Sequence, residues 1–116
     1  MSEQKLNNQI LRQLYDIIDN RRGGDPKNSH TAKLFKKGRG EICKKFGEEA
    51  VEVIIATLNE KKSNVIHESA DVLYHLLVLW VEAGIKPDEV WTELQSRVGI
   101  SGIEEKANRS NDKQGS

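Results

Sequence analysis

Two helix-length segments decide the fold: EICKKFGEEAVEVIIATLN at residues 41–59 and VIHESADVLYHLLVLWVEA at residues 65–83, with the short polar stretch EKKSN between them. The apolar residues of the first segment recur at helical spacing along one face: Ile42, Phe46, Ala50, Val53 and Ile54. The second segment is apolar almost all round. Ser63 or Asn64 can cap its start, and Gly84 ends it. We therefore predict an antiparallel helical hairpin whose second helix is the most buried element.

Helices are also predicted on both sides of this hairpin. Residues 4–20 carry an apolar stripe that consists of Leu6, Ile10, Leu11, Leu14, Ile17 and Ile18. Lys86-Pro87-Asp88 opens a last helix that Gly99 ends, because proline and acidic side chains favour a first turn. The basic stretch 27–40 has room for one helical turn at 32–36. No segment alternates as a strand does, so the predicted fold is all-α: a bundle of four to five helices around the central hairpin.

The length of the chain indicates one domain, which we place at residues 1–109, followed by a disordered polar tail at 110–116. A helix that is apolar all round has more surface to bury than three neighbours easily cover in so small a domain. A second subunit is the natural cover, so we expect a homodimer or a larger oligomer.

The composition also indicates a cytoplasmic protein. The longest uninterrupted apolar stretch, Leu76 to Val81, is far short of the ~20 residues that span a bilayer. We expect neither a membrane span nor a signal peptide. Cys43 is the single cysteine, which excludes an internal disulfide and suits a reducing compartment. We expect the side chains of Cys43, Trp80 and Trp91 to be buried.

The net charge is zero, but the two signs are segregated along the chain. Between Arg21 and Lys45 there are nine Lys and Arg against two acidic residues, whereas from Phe46 onward there are seven against thirteen. A surface that serves only solubility would mix the signs. The segregation therefore indicates a basic segment that faces an anion and an acidic segment that faces a cation.

Acidic residues lie on the apolar faces of both hairpin helices. Glu49 falls at the edge of the first face with Glu52 one turn on, and Glu68 falls within the second face with Asp71 one turn on. The midpoint between the two pairs is near residue 60, in the turn, so an antiparallel hairpin brings all four carboxylates to the same level. Like charges on apolar faces repel each other unless a cation neutralises them.

The four carboxylates offer only oxygen donors to a cation. The predicted ion is therefore Mg²⁺, or Mn²⁺ in its place, rather than Zn²⁺. The alternative is that these residues are ordinary solvated helix acids. Only Glu48 and Glu49 have a cationic partner four residues away in the same helix, and these partners are Lys44 and Lys45. His75 lies one turn from Asp71, and we interpret it as a packed core histidine rather than a ligand.

The basic segment leads directly into the acidic helix. Its cations are Lys33, Lys36, Lys37, Arg39, Lys44 and Lys45. A divalent ion surrounded by lysines is the usual environment of a polyphosphate, because metal and ammonium groups share the anionic charge. The hydroxyl groups of Ser29 and Thr31 either bind phosphate or shape a turn. The predicted substrate-binding residues are Ser29, Thr31, Lys33, Lys37, Lys44 and Lys45.

The runs KFGEEAVEV at 45–53 and ESADVLYHLLV at 68–78 resemble the phosphoribosyl-ATP pyrophosphohydrolase family. The acidic pattern alone resembles the wider superfamily of all-α, MazG-like nucleotide pyrophosphohydrolases and is moderately specific. The ADVLYHLL part of the second run is specific to the histidine-pathway family, so the two runs together are highly specific.

The resemblance extends over about residues 6–109. It includes four residues ahead of the acidic helix: Ser29, Thr31, Leu34 and Gly38. One position departs from the family pattern, since His30 stands where the family would have Tyr or Trp. The acidic positions are unaffected by this departure.

The resemblance implies hydrolysis of phosphoribosyl-ATP to phosphoribosyl-AMP and pyrophosphate, the second step of L-histidine biosynthesis, with magnesium and in an oligomer. It implies that the residues that bind metal and orient the attacking water are Glu48, Glu49, Glu52, Glu68 and Asp71. Two alternatives stay open: a housekeeping nucleoside-triphosphate pyrophosphohydrolase, and a non-catalytic helical module that binds nucleic acid. Nucleic-acid platforms interleave aromatic and basic residues, and Phe35 and Phe46 are the only aromatic residues near the basic segment.

Overall fold

The computed structural model describes residues 9–99, and every regular element within that range is an α-helix. The helices in chain order are α1 (Gln9–Asn20), α2 (His30–Lys37), α3 (Arg39–Asn59), α4 (Lys62–Ala83) and α5 (Pro87–Val98). The prediction of an all-α fold is confirmed. The start of the predicted first helix and the polar tail at 110–116 lie outside the described residues.

The helices fall into two compact units, with α1 to α4 in the first and α5 in the second. The second unit begins at Lys86, and its helix starts at Pro87 and ends at Gly99, as the sequence predicted. The Glu89 side chain accepts a hydrogen bond from the Lys86 backbone N–H at 2.8 Å and so closes the first turn. The single domain over residues 1–109 stays a prediction.

The hairpin of α3 and α4 is the main packing unit, because these two helices pack against each other more extensively than any other pair. Glu60 and Lys61 join them, so the connection is too short for anything but antiparallel packing. At the far end, an Arg39 Nη2–H at the start of α3 donates to the Glu82 carbonyl near the end of α4 at 3.1 Å. The predicted antiparallel hairpin is confirmed.

The N-terminus of α4 differs from the prediction. Its N-cap is Lys61, not Ser63 or Asn64, and no side chain caps it. The Asn64 amide instead donates to the Glu60 carboxylate at 2.6 Å, across the hairpin link. The helix therefore starts earlier than the capping preference suggested. Its end was predicted correctly: Gly84 adopts the left-handed conformation (φ 75°), which costs glycine little.

The core lies around the second half of α4. The large branched aliphatic side chains that are fully buried come from α1, α3 and α4: Ile18, Ile42, Leu77, Val78 and Val81. The first half of α4 is not covered in the same way, since Ile66 is 60% exposed and Leu73 is 43% exposed. The prediction that α4 is the most buried element therefore holds only for its second half within this single chain.

The buried face of α1 is rotated from the predicted stripe. Tyr15 and Ile18 are buried, whereas Ile10 and Ile17 are exposed. The Tyr15 hydroxyl donates to the Ile85 carbonyl at 2.8 Å, and this hydrogen bond gives the tyrosine a polar partner in the interior. The predicted stripe contains only aliphatic side chains and therefore does not include Tyr15.

Two of the three side chains expected in the core are less buried than predicted. Cys43 is exposed, so the prediction of a buried thiol is wrong. Its neighbour Ile42 takes the core-facing position of α3, and a step of ~100° turns Cys43 away. Trp80 is buried, but Trp91 is only half-buried. Within residues 9–99 no helix has the length and apolar character that a membrane crossing requires.

Candidate active site

Three carboxylates meet between the two hairpin helices. Glu49 of α3 and Glu68 and Asp71 of α4 each offer one oxygen, and these oxygens lie within 4.8 Å of one another. All three side chains are half-buried. The hairpin register brings them together, because residues on α3 and α4 that are equally distant from the link lie at the same level. We call Glu49, Glu68 and Asp71 the carboxylate centre.

Two oxygens of the carboxylate centre are buried without a hydrogen-bond donor among the described residues: Glu49 Oε2 and Glu68 Oε1. A buried carboxylate oxygen is costly unless a donor or a cation compensates it. Partial burial, followed by the charge of Glu52, raises the pKa of Glu49. The same two causes raise the pKa of Glu68, with smaller contributions from Asp71 and Glu49. These observations fit a cation bound between the helices.

The donor set selects the kind of ion. All three donors are carboxylate oxygens, which bind hard divalent ions such as Mg²⁺ and Mn²⁺. Such an ion neutralises phosphate oxygens and lowers the pKa of a bound water molecule. The residues present therefore fit the predicted divalent metal.

The other two predicted acids lie outside the three-oxygen group. Glu52 is exposed, but it lies within hydrogen-bonding reach of Glu49, and its charge acts on both Glu49 and Glu68. It therefore stands at the rim of the carboxylate centre. Glu48 is exposed on α3. The structure thus brings together three of the five predicted acids and places Glu52 beside them.

His75 is a buried histidine one helical turn after Asp71. It is 8% exposed, and its Nδ1–H donates to the Asp71 backbone carbonyl at 2.8 Å. Its ring meets the Tyr74 ring edge to face, with centroids 5.0 Å apart. The interpretation of His75 as a packed core histidine agrees with this burial. The ring fixes the backbone that carries Asp71, and its charge acts on Glu49.

The start of α2 lies close to this histidine. Ser29 is the N-cap of α2, and its Oγ accepts a hydrogen bond from the Ala32 backbone N–H at 3.1 Å. Thr31 is buried, and its hydroxyl group shares a hydrogen bond with the Tyr74 hydroxyl of α4. Both hydroxyl groups predicted to bind substrate therefore have a structural partner. The helix itself, at eight residues, is longer than the single turn predicted.

Several basic side chains act electrostatically on His30. Partial burial lowers the pKa of His30 most, and the charges of His75, Lys45, Lys33 and Lys37 lower it further. The charge of His75 thus acts on His30, which belongs to the basic segment, and also on Glu49, which belongs to the carboxylate centre.

A groove next to α2 is lined by Pro26, Lys27, Lys33, Lys36 and Lys37 and has a volume of about 560 Å³. Three of these lysines, Lys33, Lys36 and Lys37, belong to the predicted basic segment. Among the predicted substrate-binding residues, Lys33, Lys37 and Lys45 come together, whereas Lys44 is exposed on α3.

The sequence of residues 11–98 matches the family model "Phosphoribosyl-ATP pyrophosphohydrolase". The chain belongs to this family. It is 56% identical over 101 residues to the phosphoribosyl-ATP pyrophosphatase of Paramagnetospirillum magneticum, which covers 87% of this chain and 93% of that protein. It is 55% identical over 106 residues to the enzyme of the same name from Gluconobacter oxydans, covering 91% of this chain and 80% of that protein. The resemblance identified from the two sequence runs is thus confirmed.

The structure adds two residues of this family member that the sequence analysis did not single out. Tyr74 holds α2 through its hydroxyl contact with Thr31. His67 lies beside Asp71, with its Nε2 3.5 Å from Asp71 Oδ2. The i,i+4 spacing of His67 and Asp71 is the sequence signal for this pair, but a histidine is a cationic partner only when it is protonated.

Proposed function

We propose that this chain hydrolyses phosphoribosyl-ATP to phosphoribosyl-AMP and pyrophosphate with a divalent metal ion, in the second step of L-histidine biosynthesis. The reaction is supported by family membership and by relatives that are named phosphoribosyl-ATP pyrophosphatase and span most of the chain. The observation that carries the metal-assisted chemistry is the pair of buried, donor-free oxygens on Glu49 and Glu68. We place this reaction in the cytoplasm.

The carboxylate centre would hold the ion. When bound, Mg²⁺ supplies charge neutralisation for the phosphates and acidifies a water molecule. The oxygen of the attacking water forms a bond to the α-phosphorus. The P–O bond between the α-phosphorus and the oxygen that bridges to the β-phosphorus breaks, and pyrophosphate leaves with that bridging oxygen. Glu52 is the acid at the rim that reaches solvent, and we assign it the role of orienting the attacking water and accepting its proton. Glu48 remains a predicted member of the site.

The basic side chains would bind the phosphates of the substrate. The charges of Lys33, Lys37 and Lys45 lower the pKa of His30, and the charge of His75 acts on both His30 and Glu49. Ammonium groups at this position share the phosphate charge with the metal ion and favour the separating pyrophosphate. Ser29 and Thr31 would support this arrangement by holding the first turn of α2 in place, and Lys44 remains a predicted contact.

A second copy of the chain would cover the exposed apolar surface of the hairpin. Large apolar side chains on α3 and α4 are at least two-fifths exposed: Val51, Ile54, Ile55, Leu58, Ile66 and Leu73. An apolar groove runs between the two helices and is lined by Ala50, Val53, Ile54, Ser69, Val72 and Leu73. Contiguous apolar surface of this kind marks an interface. We therefore propose a homodimer, or a larger oligomer, that packs through the hairpin.

Light scattering after gel filtration tests the oligomer. Ile55→Lys places a charge in the exposed hairpin surface and should yield monomers, while Ile17→Lys, at an equally exposed position on α1, should leave the mass unchanged. A wild-type protein that is monomeric at tens of micromolar would contradict the oligomer but not the reaction.

The reaction is tested by pyrophosphate release from phosphoribosyl-ATP, with and without Mg²⁺, beside a panel of canonical and base-modified nucleoside triphosphates. We expect release that depends on Mg²⁺ and a strong preference for phosphoribosyl-ATP. Faster turnover of another nucleotide would favour a housekeeping pyrophosphohydrolase. A salt-sensitive shift of nucleic acid without any hydrolysis would favour a binding module.

A further inference from the structure

His67 is an imidazole at the edge of the carboxylate centre that the proposed reaction does not use. It lies on α4, four residues before Asp71, and its Nε2 is 3.5 Å from Asp71 Oδ2. The side chain is 74% exposed, so the ring is accessible to ions from solvent. The charge of His67 also opposes the rise that partial burial and neighbouring acids cause in the pKa of Glu68, the next residue along the chain.

The separation of the two atoms suits a shared ion. Two donors that each lie about 2.1 Å from one tetrahedral ion are about 3.4 Å apart, and the Nε2 to Oδ2 distance is 3.5 Å. A histidine and an aspartate four residues apart on a helix face the same side, so both donors can reach one ion without unwinding the helix. Asp71 is at the same time a member of the carboxylate centre.

The chemistry of the two donor types decides which ions benefit. Carboxylate oxygens alone select hard ions such as Mg²⁺, whereas an imidazole nitrogen suits Zn²⁺, Co²⁺ and Ni²⁺. The pair of His67 Nε2 and Asp71 Oδ2, at the edge of the carboxylate centre, therefore offers borderline ions a nitrogen donor that the three carboxylates lack. The competing interpretation is a simple surface ion pair between His67 and Asp71, which contributes little to stability because both side chains reach solvent.

We propose that His67 and Asp71 together bind Zn²⁺ and similar ions at the edge of the carboxylate centre, in competition with Mg²⁺ for the Asp71 carboxylate. This inference rests on the proposed metal centre, because Asp71 belongs to both. His67 is then a residue that sets metal specificity. Its presence makes the enzyme sensitive to zinc, because an ion held by His67 and Asp71 keeps Mg²⁺ from the same carboxylate.

Isothermal titration calorimetry of the untagged protein with Zn²⁺ alone, and with Mg²⁺ alone, tests the proposal. His67→Gln should lower the affinity for Zn²⁺ at least tenfold, since loss of even an outer-shell partner of a metal site costs ~10–100-fold. The same variant should change the affinity for Mg²⁺ less than twofold. His30→Gln is the matched control, because His30 is another exposed imidazole but lies among lysines that repel cations. It should leave the Zn²⁺ affinity unchanged.

Two results would overturn the inference: a Zn²⁺ affinity that is the same in wild type and His67→Gln, or equal losses for Zn²⁺ and Mg²⁺. Equal losses would mean that His67 acts only by orienting Asp71. Circular dichroism of each variant checks that the helices are retained. Asp71→Asn separates this proposal from the proposed function, because it should weaken both ions. If Asp71→Asn leaves Mg²⁺ binding unchanged, the carboxylate centre is not the magnesium site, while the two His67 measurements still decide the zinc proposal.

Discussion

The Arg39 guanidinium, at the first residue of α3, lies 3.5 Å from the Glu82 carboxylate near the end of α4. The hairpin link lies at the opposite end of the same two helices, so the pair fixes their register. Counting ten residues inward from each partner brings Glu49 opposite residue 72, directly beside Asp71. The register that Arg39 and Glu82 hold is thus the register that assembles the carboxylate centre.

Removal of this contact should have a measurable but small effect on stability. Arg39→Met keeps most of the side-chain stem but removes the ion pair, and we expect the free energy of unfolding to fall by about 0.5–1 kcal/mol, because the arginine is largely exposed. Thermal melts would show a decrease of a few degrees. Arg97→Met, which removes a pair with Glu93 inside α5, is the control and should change the melting temperature less. Equal decreases would mean that the Arg39 contact carries no special weight.

Neutralising the carboxylates should remove activity without removing structure. Glu49→Gln, Glu68→Gln and Asp71→Asn each delete ligand charge at nearly constant shape, so we expect each to lower kcat about a hundredfold or more. Glu52→Gln should also lower kcat, because it removes the acid at the rim. Glu60→Gln, an exposed acid in the hairpin link, is the control. Pyrophosphate release and circular dichroism give the two readouts, and wild-type rates in two or more of the four variants would refute the metal site.

The lysines that act on His30 should contribute to substrate binding rather than to the chemical step. Lys37→Ala and Lys45→Ala remove charges near His30, and we expect KM to rise several-fold with a smaller change in kcat. Lys62→Ala, at the exposed start of α4, is a matched lysine outside the site and should behave as the wild type. Steady-state kinetics with phosphoribosyl-ATP decide the point. Unchanged KM values in both Lys37→Ala and Lys45→Ala would exclude these lysines from the substrate site.

The hairpin and the convergence of its acidic residues could be predicted, because both depend only on how far each residue lies from the link along the sequence. Glu49 and Asp71 are almost equally far from a short link, so any antiparallel pairing of these segments brings them together. Other features depend on which face packs against a neighbour, and periodicity does not give that. Cys43 is exposed because Ile42 takes the core-facing position, and Lys61 rather than Asn64 precedes α4 because the Asn64 side chain bonds Glu60. The sequence also identifies Ser29 and Thr31, but their hydrogen-bond partners, Ala32 and Tyr74, are known only from the fold.

The metal-free protein should respond to pH through the carboxylate centre. Partial burial, followed by the charge of Glu52, raises the pKa of both Glu49 and Glu68 in the folded state. The folded state therefore binds more protons than the unfolded chain, so these groups stabilise it at low pH and lose that contribution as the pH rises above about 4 through the raised pKa values. In EDTA, the melting temperature of Glu68→Gln relative to wild type should increase between pH 4 and 7. A flat difference for Glu68→Gln across this pH range would contradict the assignment.

Metal binding should compensate the loss of stability that ionisation of the carboxylate centre causes. A cation binds the folded arrangement and not the unfolded chain, which separates Glu49 from Glu68 and Asp71, so stability rises by mass action. The gain is ~2.7 kcal/mol at a hundred times the dissociation constant, which corresponds to roughly ten degrees of melting temperature for a domain of this size. Glu68→Gln should stabilise the EDTA-treated protein, because it removes one of the repelling charges and the cost of a buried, donor-free carboxylate oxygen. It should also reduce the increase produced by Mg²⁺. Melts of both proteins in EDTA and in Mg²⁺ at constant ionic strength measure the two effects together, and equal metal-induced shifts would mean that Glu68 is not a ligand.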